Sequence, residues 1–87
     1  MKKLVTVTEV ENEGLDGLMG ERITLFCANY IYTGKLVGVN ERYAKLEDAA
    51  IVYETGSFTE KAWKDAQSLP HPVYIMLSAV ESFMILK

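Results

Sequence analysis

From Ile23 to Ala28 two sets of positions alternate with a period of two, Ile23, Leu25 and Cys27 against Thr24, Phe26 and Ala28. That is the pattern of a strand buried on one face, and it predicts that Cys27 faces the core. A second β-forming run, Tyr32-Thr33-Gly34-Lys35-Leu36-Val37-Gly38-Val39-Asn40, is interrupted by two glycines four apart. A residue without Cβ relieves crowding where a strand bends, so this reads as a curled strand. Asn40-Glu41-Arg42 turns the chain, and residues 43–49 return as the next strand, continued by Ile51-Val52-Tyr53 until Gly56 breaks it. Residues 50–72 are the main elaboration. There Phe58, Ala62, Ala66 and Leu69 recur at near-helical spacing beside Trp63, which predicts a short helix. Either Ser57 with Glu60, or Thr59 with Phe58 stapled against Trp63, starts it. Pro70 and Pro72 forbid its continuation and return the chain as an extended segment.

Residues 73–77 and 83–86 are apolar runs without alternation, as in strands covered on both faces. A small barrel does not supply both covers, so a second copy is expected against Tyr74, Ile75, Met76, Leu77, Phe83, Met84, Ile85 and Leu86. Each large apolar side chain so buried is worth about 1.5–3 kcal/mol. Toward the start, Leu15, Leu18 and Met19 make a helical turn or a plugging loop. Residues 1–14 read as a strand or arm, with Glu9, Glu11 and Glu13 along one solvated face.

At this point a family resemblance becomes specific. Leu15-x-x-Leu18-x-Gly20-x-x-Ile23-x-Leu25, then Tyr32-x-Gly34-x-Leu36-x-Gly38-x-Asn40, then Leu46-Glu47-Asp48-Ala49 resemble the first signature motif of the Sm, LSm and Hfq-like proteins. Residues 75–83 are similar to the second motif in their apolar positions only. The resemblance covers about two thirds of the chain and implies a mainly β fold: a small, SH3-like, strongly bent five-stranded barrel, here with a short helix inserted before the fourth strand. It also implies a homo-oligomeric ring of five to seven subunits in which fourth and fifth strands of neighbours pair, and single-stranded RNA bound near the ring pore.

Carried over position by position, Asn40 stands where the family has an Asp opening its pocket loop. Arg42 or Tyr43 falls at the base-stacking position, because this turn is one residue shorter than the family's, and Lys45 follows close by. The pocket Asn lands on Tyr43 or Ala44, the Arg-Gly pair of the second motif on Met76-Leu77, and the Lys-His pair of Hfq has no counterpart. The fold signature is thus kept and much of the base-reading chemistry is not. The leading expectation is an RNA-binding ring with an atypical pocket at Asn40, Arg42, Tyr43 and Lys45. The alternative is a non-catalytic structural or protein-binding oligomer that uses Phe58 and Trp63 as its contact surface.

Length and composition narrow the field further. Eighty-seven residues, 49% hydrophobic and 24% charged, suit one globular domain near the size at which small cores are marginal alone. No apolar run approaches the roughly 18 residues of a membrane span, and residues 1–9 are too short and polar for a signal peptide, so a cytoplasmic protein is expected. The net charge of −3 works against long-range attraction of nucleic acid, since five to seven copies would carry about −15 to −21. A single cysteine excludes an internal disulfide and a thiolate metal cluster. His71, the one histidine, sits between two prolines with no nucleophile or metal triad in the pattern, so neither catalysis nor a cofactor or metal is expected.

Overall fold

The computed structural model describes residues 13–87, and the strand or arm expected over residues 1–14 lies almost wholly outside them. One helical turn, α1 (Gly14–Gly17), precedes six strands: β1 (Arg22–Cys27), β2 (Ile31–Val39), β3 (Tyr43–Glu54), β4 (Asp65–Ser68), β5 (Val73–Met76) and β6 (Val80–Met84). All pairings are antiparallel, in the order β4-β3-β2-β1-β6, with β5 also on β3. Among the described residues no helix is long and apolar enough to cross a membrane.

Two expectations are corrected. Among the described residues the sheet has six strands and its two ends do not pair with each other. The cause is the length of β3: twelve residues present more edge than one short strand can fill, so β5 takes Tyr43 to Leu46 and β4 takes Ala50 to Glu54. The helix expected over residues 58–69 is absent. Residues 55–64 form turns and residues 65–68 form β4, because the open carbonyls and amides of β3 outbid a weak helical periodicity. Leu69 continues this pairing, donating its N–H to the Ala49 carbonyl at 2.8 Å.

The sheet curls around its own core. Ile23, Leu25, Leu36, Ala44 and Leu46 are wholly buried and cluster with Ala49 and Ile75, with Leu15, Leu18, Leu69, Leu77 and Phe83 packed around them. A flat single sheet cannot seal side chains from four of its strands, so the strands must wrap. The bend is built at Gly34, where a Cβ would lie 3.0 Å from the Glu47 carbonyl oxygen and 3.1 Å from the Ala49 Cα. Opposite it, Asp48 and Ala49 occupy the space of one residue, a bulge that puts Asp48 at φ 48°. Arg22 Nη1 donates to the Asp48 carbonyl at 3.1 Å and holds the bulge in place.

The bulge also shifts which residues face inward along β3. Ala50 and Val52 are buried but do not belong to the main core cluster. They pair with Thr33 and Ile31, and Thr33 in turn pairs with Thr24, both threonines wholly buried. This second, smaller interior lies on the outer face of the sheet, where Phe58 of the 55–64 loop meets Phe26 edge-on at 6.4 Å. Lys87 also reaches it, its carbonyl oxygen lying 3.4 Å from the Thr33 hydroxyl oxygen.

Candidate functional site

The other half of the outer face, before the bulge, is left uncovered by the described residues. In the β3–β5 register Tyr43 stands opposite Met76 and Lys45 opposite Tyr74, while Ala44 and Ile75 between them point into the core. Strand alternation therefore sends Tyr43, Lys45, Tyr74 and Met76 to the same outer face. The Tyr43 and Tyr74 rings meet at 5.2 Å and 90°, and the Lys45 ammonium lies 5.5 Å from the centre of the Tyr74 ring. On the β2 side Lys45 is flanked by Gly38, which adds no side chain and leaves the patch open.

The turn beside this patch is fixed by Asn40. Its Oδ1 accepts from the backbone N–H groups of Arg42 at 2.8 Å and Tyr43 at 2.9 Å, and its own N–H donates to the Tyr43 carbonyl. The amide oxygen is thus spent on the turn, the usual work of an Asx residue. Arg42 is exposed, and its carbonyl accepts from Leu77 N–H at 2.8 Å, which ties the turn to the 3-10 turn after β5. Of the residues read from the sequence as RNA-binding candidates, Tyr43 and Lys45 share the patch, Arg42 borders it and Asn40 builds its frame. Tyr74 and Met76, read from the sequence as interface candidates, complete it.

The remaining interface candidates divide by face. Ile75 lies in the chain's own core, with Phe83 and Leu77 packed against it. Tyr74, Met76, Met84 and Ile85 are 54%, 49%, 43% and 59% exposed. Leu86 and Met84 join Phe26 and Phe58 in lining an open apolar groove of about 310 Å³ at the far end of the sheet. Phe58 is half exposed, whereas Trp63 is mostly covered, with the Lys87 ammonium 4.5 Å from its ring centre.

Cys27 packs at the margin of the core, and burial, with the Glu81 carboxylate nearby, pushes its thiol pKa up. A thiol held protonated is a poor nucleophile. His71 is exposed. Among the described residues no group of three or more His, Cys, Asp or Glu side chains converges to hold a metal ion.

No family model and no curated protein matches this sequence. Among solved structures, a chain in the crystal structure of the NatC complex bound to CoA is similar, with a TM-score of 0.59 over 95% of this chain and 91% of that one. At 14% identity the likeness is one of fold alone.

Proposed function

We propose that this chain is an Sm-like, self-assembling β module whose outer β3–β5 face takes single-stranded RNA. The observation that carries the reading is the meeting of Tyr43, Lys45 and Tyr74 across two strands some thirty residues apart in sequence, beside exposed Arg42. Two tyrosine rings give unpaired bases a surface to stack on, each worth about 1–3 kcal/mol, and the two cations stand where phosphates would pass. The helical turn before β1, the bend at Gly34 and the return of the last strand onto β1 agree with the resembled architecture, in which β4 would be the insertion. Met84 and Ile85, left exposed in and beside β6, together with the edges of β5 and β6 that no described strand pairs, support self-association.

A second reading, a non-catalytic protein-binding module, draws on the apolar groove lined by Phe26, Phe58, Met84 and Leu86. That a similar fold is found in a chain of the NatC complex is in keeping with it. The test is fluorescence anisotropy with short uridine-rich and adenine-rich RNAs at several salt concentrations, together with native mass. The RNA reading expects salt-dependent binding that Tyr74→Ala and Lys45→Ala each weaken about tenfold or more. No binding at low salt rejects it and leaves the second.

A further inference from the structure

The Lys87 side chain is held more completely than a surface lysine needs to be. Its ammonium donates to the backbone carbonyls of Thr55 at 3.0 Å, Ser57 at 2.8 Å and Ala62 at 3.1 Å. All three N–H donors of an ammonium are thereby used. The same nitrogen lies 4.5 Å from the centre of the Trp63 ring, the strongest aromatic acceptor for a cation. Among the described residues no carboxylate pairs with it, and the salt bridge of this loop joins Lys64 to Glu54. Three neutral acceptors and a ring face suit a primary ammonium. A guanidinium is a planar fork that does not match them, and a quaternary ammonium has no N–H to donate.

The cradle is shaped by the loop's own bonds. Gly56 takes φ +67°, and a Cβ there would press on Lys64 at 3.2 Å. The Ser57 hydroxyl accepts from Thr59 N–H at 3.3 Å, Glu60 N–H donates to the Ser57 carbonyl, and Lys64 N–H donates to the Thr55 carbonyl. Trp63 is turned so that its Nε1 is buried with no hydrogen-bond partner among the described residues. Leaving that donor unpaired is costly, and the orientation presents the ring face to Lys87 instead.

We infer that residues 55–63 form a primary-ammonium site that Lys87 fills in cis, and that this occupancy fastens the loop and tail as the cover of the outer interior around Thr24, Thr33, Ala50 and Val52. The fastening joins two segments that already touch that interior, Phe58 on Phe26 and the Lys87 carbonyl on Thr33. Trp63 is the only tryptophan in the chain, so its emission reports the site directly.

The experiment uses the full chain with Lys87→Ala and reads Trp63 emission and amide exchange over residues 55–64. The expected result is a red shift and exchange about tenfold or more faster in the loop, with β1–β3 unchanged. Millimolar n-propylammonium chloride should reverse both, whereas tetramethylammonium chloride at equal ionic strength should not. Unchanged emission and exchange would overturn the inference, as would rescue by both salts alike or by neither. Should Lys87→Ala not fold, Lys87→Met keeps the stem without the charge, and its loop must still exchange faster than the parent's or the inference fails.

Discussion

Gly34 and Gly38 lie four residues apart on one strand and look equivalent in the sequence, yet the structure sets opposite outcomes for the same substitution. An alanine Cβ at Gly34 would meet the Glu47 carbonyl oxygen at 3.0 Å, the Ala49 Cα at 3.1 Å and the Ala49 Cβ at 3.2 Å. Two of those three atoms are backbone of the bulge, which cannot rotate away as a long side chain could. Overpacking of this kind costs about 1–3 kcal/mol, offset by about 0.4–1 kcal/mol from the narrower unfolded ensemble of alanine. Taken at the middle of these ranges, Gly34→Ala should therefore lose about 1.3 kcal/mol, which for a chain of this length lowers Tm by roughly 5–10 °C. At Gly38 the nearest atom to a new Cβ is the Lys45 Cβ at 3.9 Å, ordinary contact. Gly38→Ala should be neutral or gain up to about 1 kcal/mol. Thermal and urea unfolding followed by circular dichroism, at one fixed protein concentration so that assembly does not enter, gives the comparison. Equal losses in the two variants, or an unaffected Gly34→Ala, would refute the reading of Gly34 as the point of closest strand approach.

Three further outcomes follow from single residues. Thr33 Oγ1 bonds the Ile23 carbonyl at 3.2 Å and the Thr24 hydroxyl at 3.4 Å, so Thr33→Val strands a buried hydroxyl and should cost about 1–3 kcal/mol in urea unfolding. Asp48 holds φ 48° without being glycine, so Asp48→Gly should raise the urea midpoint by the equivalent of up to about 1 kcal/mol, the Arg22 bond surviving because its acceptor is backbone. Burial first, and then Glu81, push the Cys27 thiol pKa up, so alkylation by iodoacetamide should stay slow at neutral pH and quicken only above the ordinary thiol range. The unfolded chain then gives up this proton at lower pH than the folded one. The contribution to stability is intact below about pH 8.5 and is lost as pH rises toward the folded value, which a pH series of urea midpoints measures.

The period-two runs and the glycines made β1, β2 and β3 legible, because those signals act within a few residues. The misread segment fails for a non-local reason. Of the four residues at helical spacing, Phe58 meets Phe26 and Leu69 packs on the main core, while Ala62 and Ala66 between them are exposed and Trp63 lies beneath Lys87, so the periodicity marks no common buried face. Asp48 shows the same limit: nothing in Glu47-Asp48-Ala49 announces a bulge, which exists because Gly34 lets the facing strand approach. In the sequence Tyr74 reads as an apolar residue of an interface. Its place beside Tyr43 and Lys45 depends on the β3–β5 register, which neither strand encodes alone. Residues 73–76 read as unpatterned because tyrosine and methionine count as apolar, yet in the fold they alternate strictly, Ile75 inward and Tyr74 and Met76 outward.

The edges of the sheet constrain how any assembly is built. Along β3 the free margin is divided: β4 carries Asp65-Ala66-Gln67-Ser68, all exposed and headed by a charge, while β5 carries Val73-Tyr74-Ile75-Met76 with none. Short polar edges discourage pairing, so among the described residues the strand available to a second copy is β5, with β6 as the other edge that no described strand pairs. Pairing β5 of one copy with β6 of the next joins unlike surfaces, and such contacts either close into a ring or run on as a fibre. Pairing β6 with β6, or β5 with β5, is self-complementary and stops at two. Backbone pairing at the β5 edge acts in the plane of the sheet, whereas Tyr74 and Met76 project from its outer face, so an assembly through that edge and the proposed RNA contact would draw on different directions of the same strand. Met76→Asp should therefore weaken RNA binding in whatever assembly forms. A native mass of two chains would place one edge against its own copy and remove the ring, even if RNA still bound the tyrosines.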